Sequence, residues 1–271
     1  MQLDDVIISR AIIDSWSKDL LDSLSIDVAI VGGGPAGLTA GYYLSKKGLK
    51  TVLFERNLSI GGGMWGGGMM YNKCVFQQES KPILDEFGIR TDEYQEGYFL
   101  TNSLETVTTL CSGAIKAGLK IFNLIGVEDV MIRQEGNTDS RPSAFGNSVT
   151  GLVLNWTAVT MAKLHIDPLT IRAKAVIDST GHAAEVAGII VRKIGKKLFT
   201  ETGEMLGEKP MWADVGERTI VENTKEIYPN VFVAGMSANA VFGGPRMGPI
   251  FGGMLLSGKR AAEIIAARLT E

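Results

Sequence analysis

Gly32-Gly-Gly34-Pro-Ala-Gly37 is the first stretch of the chain whose spacing suggests chemistry. It matches G-x-G-x-x-G, follows an apolar run ending at Val31, and opens a helical pattern at Ala36. In that context Gly32 permits the tight turn, Gly34 lets a pyrophosphate approach the backbone, and Gly37 lets the helix lie close to the strand. The first N–H groups of such a helix, with the positive end of its dipole, suit phosphates. Glu55 closes the next apolar run, where an acid can accept hydrogen bonds from both ribose hydroxyls. Its charge disfavours a 2′-phosphate, while the adjacent Arg56 would favour one, so the expected ligand is an adenine dinucleotide.

Two further glycine clusters follow. Gly61-Gly-Gly-Met-Trp-Gly-Gly-Gly68 has six glycines in eight residues and is expected to be neither helix nor strand, because glycine loses the most entropy on ordering. It reads either as a backbone loop against the ligand or as a mobile linker, and Met64-Trp65 in its middle favours order. Gly235 to Gly248, followed by Phe251-Gly-Gly253, reads as a loop joining the last strand to the closing helix. Arg246 is its only charge. A guanidinium beside a dinucleotide suits a carboxylate or phosphate, and the plain alternative is a solvated surface arginine.

The chain has two histidines. His165 and Asp167 are two residues apart and share a face on extended backbone. His182 follows a strand that ends near Asp178. Two imidazoles and a carboxylate can form an open site for Fe(II); they can equally be hydrogen-bonded residues lining a nucleotide pocket.

The elements that must position these groups read as follows. Residues 6–24 form an amphipathic helix with Ile8, Ile12, Trp16 and Leu20 on one face. Ile26–Val31, a helix to Lys47, and Lys50–Glu55 make a βαβ unit, so a parallel sheet follows. Helices are expected at 81–87 and 103–117, and a strand at 120–124. Two β-rich stretches at 127–134 and 148–160 flank a polar loop at 136–147. Strands at 169–177 and 231–234 and a closing helix at 248–268 complete the pattern. The reading is α/β: residues 1–25 are a helix for packing or oligomerisation, and 26–271 are one NAD-binding catalytic domain with a β-rich insertion at about 127–170.

Composition narrows the function further. With 27 Lys and Arg against 30 Asp and Glu, the net charge is −3, which excludes the basic excess of a nucleic-acid binder. Glycine is 33 of 271 residues, against a usual share of about 7%. The uncharged runs at 28–45 and 142–162 carry glycine, proline or polar breaks and are not membrane spans. The start of the chain is acidic where an export signal is basic. Cys74 and Cys111 form no metal motif, read as small buried hydrophobes, and suit a reducing cytoplasm.

The set Val31–Gly37, Glu55-Arg56, Gly61–Gly68, Asn155-Trp-Thr157, Ser179–His182 and Arg246-Met-Gly-Pro249 resembles the thiazole synthase family of thiamin biosynthesis, from about Ile26 to the C-terminus. The resemblance implies a glutathione-reductase-like Rossmann nucleotide-binding fold, with an inserted β-meander here, and a homo-octamer. It also implies that NAD is consumed: nicotinamide leaves, the ADP-ribose portion becomes a ketone, glycine condenses as an imine, sulfur enters, and an adenylated thiazole closes. His165 stands where eukaryotic relatives carry the cysteine that donates its own sulfur. The chain therefore resembles the archaeal, sulfide-using members, which turn over with Fe(II).

By the same resemblance Asp167 and His182 are iron ligands, His165 joins them as a catalytic residue, and Arg246 holds the glycine carboxylate. Gly32, Gly34, Ala36, Gly37, Glu55, Arg56, Gly63, Val127 and Met236 are the expected NAD contacts. A metal-bound sulfide is a localised, deprotonated nucleophile at neutral pH, and it needs an open coordination position. The competitors are a flavin-dependent oxidoreductase of the same fold and a non-enzymatic NAD-binding protein. The flavoproteins usually carry an acid after the glycine at 235, where this chain has Met236. The binding protein needs neither the Arg246 loop nor the histidines.

Overall fold

The glycine turn at Gly32 lies between parallel strands of a computed structural model that describes residues 2–134 and 147–270. Helix α1 (Asp5–Asp22) precedes β1 (Ser25–Val31), α2 (Pro35–Lys46) and β2 (Thr51–Glu55). Pro35 stands at the start of α2, where its missing N–H costs nothing. Next come β3 (Lys73–Gln77), α3 (Lys81–Phe87), β4 (Asp92–Gln95), β5 (Tyr98–Asn102) and α4 (Ser103–Lys116). Then follow β6 (Lys120–Asn123), β7 (Ile125–Gln134), β8 (Asn147–Trp156), α5 (Thr157–Met161) and β9 (Leu169–Asp178). The last elements are α6 (Glu185–Ile194), α7 (Ala213–Glu222), β10 (Glu226–Tyr228), β11 (Val231–Val233), α8 (Met236–Phe242) and α9 (Gly252–Thr270).

The main sheet runs β10-β11-β9-β1-β2-β6. β11, β9, β1, β2 and β6 are mutually parallel, with Val31 level with Phe54 on one side and Asp178 on the other. Their inner strands read as continuous apolar runs because helices cover both faces. Val28 and Ile30 point into one core with Leu38, Leu110 and Leu255; Ala29 and Val31 point into the other with Ile190, Ile220 and Val241. The expected β-rich insertion is an antiparallel meander, β7 on β8 and β8 on the first half of β9. The α/β Rossmann-type fold with a parallel sheet is thus as the sequence implied. Of the polar loop, residues 136–146 lie outside the described residues.

Several expectations need correction. The third glycine cluster is not loop throughout: Met236–Phe242 is a buried helix between Gly235 and Gly243, both at positive φ. The stretch to Thr160 leaves the sheet at Trp156 and turns into α5. The closing helix starts at Gly252, after Gly248 at positive φ and Pro249. A second sheet, β3-β5-β4, was not expected; β4 is exposed along its whole length and shows no alternation. α6 was legible and passed over: Val186, Ile189 and Ile190 fall on one face, basic residues fill its last turn, and Gly195 follows.

α1 is capped by Asp4, which accepts from the amides of Val6 and Ile7, and it has no buried residue. Trp16 rests on Phe122 and Trp156, and Asp19 pairs with Lys120 at 2.8 Å. Ile7, Ile12, Ile13 and Leu21 remain exposed in the single chain. Among the described residues, no helix is long and apolar enough to cross a membrane.

Candidate active site

A cleft of about 520 Å³ opens beyond the C-terminal ends of β1, β2 and β9. Ligands of open α/β sheets bind at this end. Its lining includes Gly32, Gly34, Ala36, Glu55 and Arg56 from the βαβ unit, with Gly63, Val127, His182 and Met236 from later segments. Gly37, His165, Asp167 and Arg246 do not line it.

The turn is shaped by steric necessity. Gly32 has φ +100°, and a Cβ there would meet the Ser179 carbonyl. A Cβ at Gly37 would collide with the Gly32 carbonyl oxygen, so the helix approaches the strand only because position 37 lacks one. Gly34 and Gly63 face open space, with nothing within 4 Å of a Cβ. No side chain caps the start of α2, which leaves its first amides to a ligand. Ser179 stitches the turn from across the sheet, its Oγ donating to the carbonyls of Val31 at 2.8 Å and Gly32 at 2.9 Å.

Glu55 is buried and already engaged. Its Oε2 accepts from the Gly33 amide at 2.8 Å, and its Oε1 from the Asn57 amide and side chain, both at 2.7 Å. It therefore ties the glycine turn to the end of β2, a role the sequence reading did not assign. Arg56 pairs with Glu185 at the rim.

The second glycine cluster is ordered as two 3-10 turns over Gly62–Gly66 and Gly68–Met70. Met64 is buried, and the Trp65 carbonyl accepts from Ser103 Oγ at 3.1 Å.

Asp178 organises the turn after β9. This fully buried carboxylate accepts from the Thr180 amide at 3.1 Å and hydroxyl at 2.7 Å, the Ala187 amide at 3.0 Å, and Ser237 Oγ at 3.2 Å. Burial nevertheless raises its carboxyl above the ordinary range. The network fixes the turn that presents His182. An acid ending a central strand, followed by Ser-Thr, was the available signal for it.

His182 and Arg246 are brought together by a residue that the sequence reading missed. Glu208 Oε1 lies 2.5 Å from His182 Nδ1, and its Oε2 lies 4.0 Å from Arg246 Nε. His165 and Asp167 sit instead on the exposed segment 161–168. The described residues contain no group of three His, Cys, Asp or Glu able to hold a metal. Cys74 and Cys111 are free. Burial pushes the Cys74 thiol up to about 12 and also raises Cys111, so neither is an activated thiolate.

Known proteins resemble nearly the whole chain. A model of the Thi4 family matches residues 9–251. The thiamine thiazole synthase of Methanothermobacter thermautotrophicus is 61% identical over 269 residues, covering 99% of this chain and 100% of the relative. That of Pyrococcus furiosus is 52% identical over 267 residues, covering 98% and 99%. The crystal structure of Thermovibrio ammonificans THI4 is 49% identical, with a TM-score of 0.93 and full coverage of both chains. A geranylgeranyl bacteriochlorophyll reductase-like protein from Thermoplasma acidophilum shares the fold alone, at 15% identity, a TM-score of 0.51, and 91% and 79% coverage.

Proposed function

Since the chain belongs to the Thi4 family, the thiazole synthases of thiamin biosynthesis, we propose that it builds an adenylated thiazole carboxylate from NAD, glycine and sulfide. Nicotinamide is released, and the protein turns over repeatedly. The observation that carries this reading is one continuous cleft that runs from the uncapped start of α2 to His182.

In it the pyrophosphate lies against Gly34, where nothing stands within 4 Å of a Cβ, and takes hydrogen bonds from the uncapped first amides of α2. Glu55 accepts from the ribose, exchanging one of its internal donors. Gly63, Val127 and Met236 line the remaining path, and Arg246 takes the glycine carboxylate. Sulfur comes from outside, because His165 has none and the two thiols are inert. Against a flavin-dependent oxidoreductase stands Met236, a buried apolar side chain at the start of α8.

Fe(II) belongs to the proposal, as the group that would hold sulfide when bound. The donor types suit it, but one chain does not assemble the ligands: His182 faces the cleft and Asp167 does not. Asp167 would have to arrive from a neighbouring copy, or by the exposed segment 161–168 folding back onto its own cleft. The exposed apolar residues of α1 fit a homo-oligomer, an octamer by the family resemblance. The free cysteines fit a cytoplasmic location.

The deciding experiment is anaerobic incubation with NAD, glycine, sulfide and Fe(II), followed by mass spectrometry of small molecules and protein. Expected are nicotinamide and many equivalents of thiazole per chain, also from a Cys74→Ser, Cys111→Ser double variant. A single turnover without sulfide, with loss of a protein sulfur atom, would overturn the reading.

A further inference from the structure

Glu208 lies beside both His182 and Arg246, the two groups at the reacting end of the proposed site. Its own side chain is 17% exposed, against 54% for His182 and 60% for Arg246. The segment that carries it is pinned on both sides. Leu206 and Gly207 donate to the carbonyls of Val241 and Ala240 at 2.9 and 3.0 Å. Lys209 donates to Gly244 at 3.0 Å, and Arg246 donates back to Lys209 at 3.2 Å. The partners of the carboxylate come from two other places, His182 from the turn after β9 and Arg246 from the loop after α8. A fixed acceptor thus joins two half-exposed groups.

We propose that Glu208 is a positioning residue for thiazole formation: it holds His182 with its proton on Nδ1 and its Nε2 lone pair free, and it sets the Arg246 guanidinium beside that imidazole. The inference rests on the proposed function, in which His182 and Arg246 belong to the reacting end of the cleft.

The chemistry is direct. A carboxylate accepts and does not donate, so the Nδ1 it contacts carries the hydrogen. The other ring nitrogen is then an acceptor or a ligand, with its orientation fixed by the partner carboxylate. His182 Nε2 has no protein partner among the described residues. At 4.0 Å the contact with Arg246 is an ion pair and not a hydrogen bond. It orients the guanidinium while leaving the donors at its far end for a substrate carboxylate. A single side chain thereby sets the separation between an anion-binding group and a lone pair.

The test is Glu208→Gln, which keeps the shape and offers an amide that can donate to Nδ1. With only two histidines in the chain, solid-state 15N NMR of histidine-labelled protein resolves both. A His165→Asn sample assigns the pair. Spectra are taken at pH about 8, above the usual histidine value of about 6.5. The wild type is expected to show His182 protonated on Nδ1, and Glu208→Gln to shift the proton toward Nε2.

In parallel, thiazole turnover should fall about 10–100-fold, the usual loss when such a partner is removed, and KM for glycine should rise. NAD affinity and the melting midpoint should stay unchanged. Glu208→Asp, which keeps the charge, should recover the tautomer and part of the turnover. If the glutamine variant fails to fold, Glu208→Ala, which removes the acceptor from Nδ1, takes its place, with the same expected loss of the Nδ1 tautomer. An unchanged tautomer in Glu208→Gln, or full turnover at the wild-type glycine KM, overturns the proposal. The spectra need no activity, so they decide the hold on His182 even if the wild type makes no thiazole, a result that would instead overturn the proposed function.

Discussion

At the Gly32 end of the cleft the polar contacts are made by main-chain groups, by Ser179 and by a buried Glu55, all within one chain. At the other end, the Arg246 end, Glu208 joins His182, which lines the cleft, to Arg246, which stands outside its lining, and two of the expected participants, His165 and Asp167, are absent from the cleft. The first end is shaped by main chain from adjacent strands, which suits the proposed dinucleotide. The second holds the groups assigned to the proposed thiazole chemistry, on loops that main-chain hydrogen bonds tie to one another. A nucleotide site made of backbone is complete as soon as the strand and helix form. A site made of side chains from several loops depends on how those loops, and neighbouring copies, are placed.

Asp178 lies on the seam between the two ends, and its removal is the largest blow either can take. Asp178→Ala leaves the donors of Thr180 and the buried Ala187 amide without their acceptor, while Ser237 Oγ keeps the Gly181 carbonyl at 3.0 Å. The expected cost is about 4 kcal/mol in urea unfolding, since each buried unsatisfied donor costs about 1–3 kcal/mol and such losses do not add fully. NAD binding and thiazole formation should weaken together, because Ser179 and His182 flank the same turn. If only thiazole formation suffers, the two ends are more separate than the geometry indicates.

The same contrast explains what could be read from the sequence. β1, α2, β2 and Glu55 were legible because the glycines have steric tasks at fixed spacing. Gly37 works against Gly32, five residues away. The central strands were legible from their apolar runs. Glu208 was not, because its partners lie 26 residues before it and 38 after it, and nothing local marks an acid that bridges distant loops. Nor was α8, whose flanking glycines pointed to a loop. The engaged state of Glu55 was hidden too: the spacing that suits a ribose also suits the Gly33 amide.

A smaller effect separates the ends by pH. Glu217 on α7 is buried, with Oε2 accepting from the Gly253 amide at 2.6 Å at the start of α9 and the Gln77 side chain also beside it. Burial pushes its carboxyl up to about 7 from the ordinary 4.5. The folded protein therefore keeps a proton that the unfolded chain releases between those values. The resulting stability is fully present below about pH 4.5 and is lost as pH rises through 7. Unfolding free energy should fall by on the order of 2 kcal/mol between pH 5 and pH 8 from this group. Glu217→Gln should flatten that slope and be the more stable protein at pH 8. α7 also backs the loop of Arg246, with Trp212 donating to the Arg246 carbonyl at 2.9 Å. Glycine use should therefore weaken with rising pH in the wild type before NAD binding does. Parallel pH profiles for the two ligands would remove the distinction.

Asp167 is expected to change stability least and chemistry most. Its side chain is exposed on a segment held by few contacts, one of them from Asn155 Nδ2 to the Ile166 carbonyl at 3.2 Å. Asp167→Asn should shift unfolding by no more than about 0.5 kcal/mol, the usual range for a surface substitution. NAD affinity should not move, since the residue is absent from the cleft. Thiazole formation should nevertheless be lost if this carboxylate completes the sulfide site. An active Asp167→Asn protein would show that the Arg246 end is self-sufficient in one chain. The stronger measurement mixes Asp167→Asn with His182→Ala, each inactive alone. If Asp167 serves the His182 of a neighbouring copy, mixed oligomers contain sites with both residues intact, and part of the activity returns. If both groups must come from the same chain, no mixture restores it, and the exposed segment must fold back onto its own cleft.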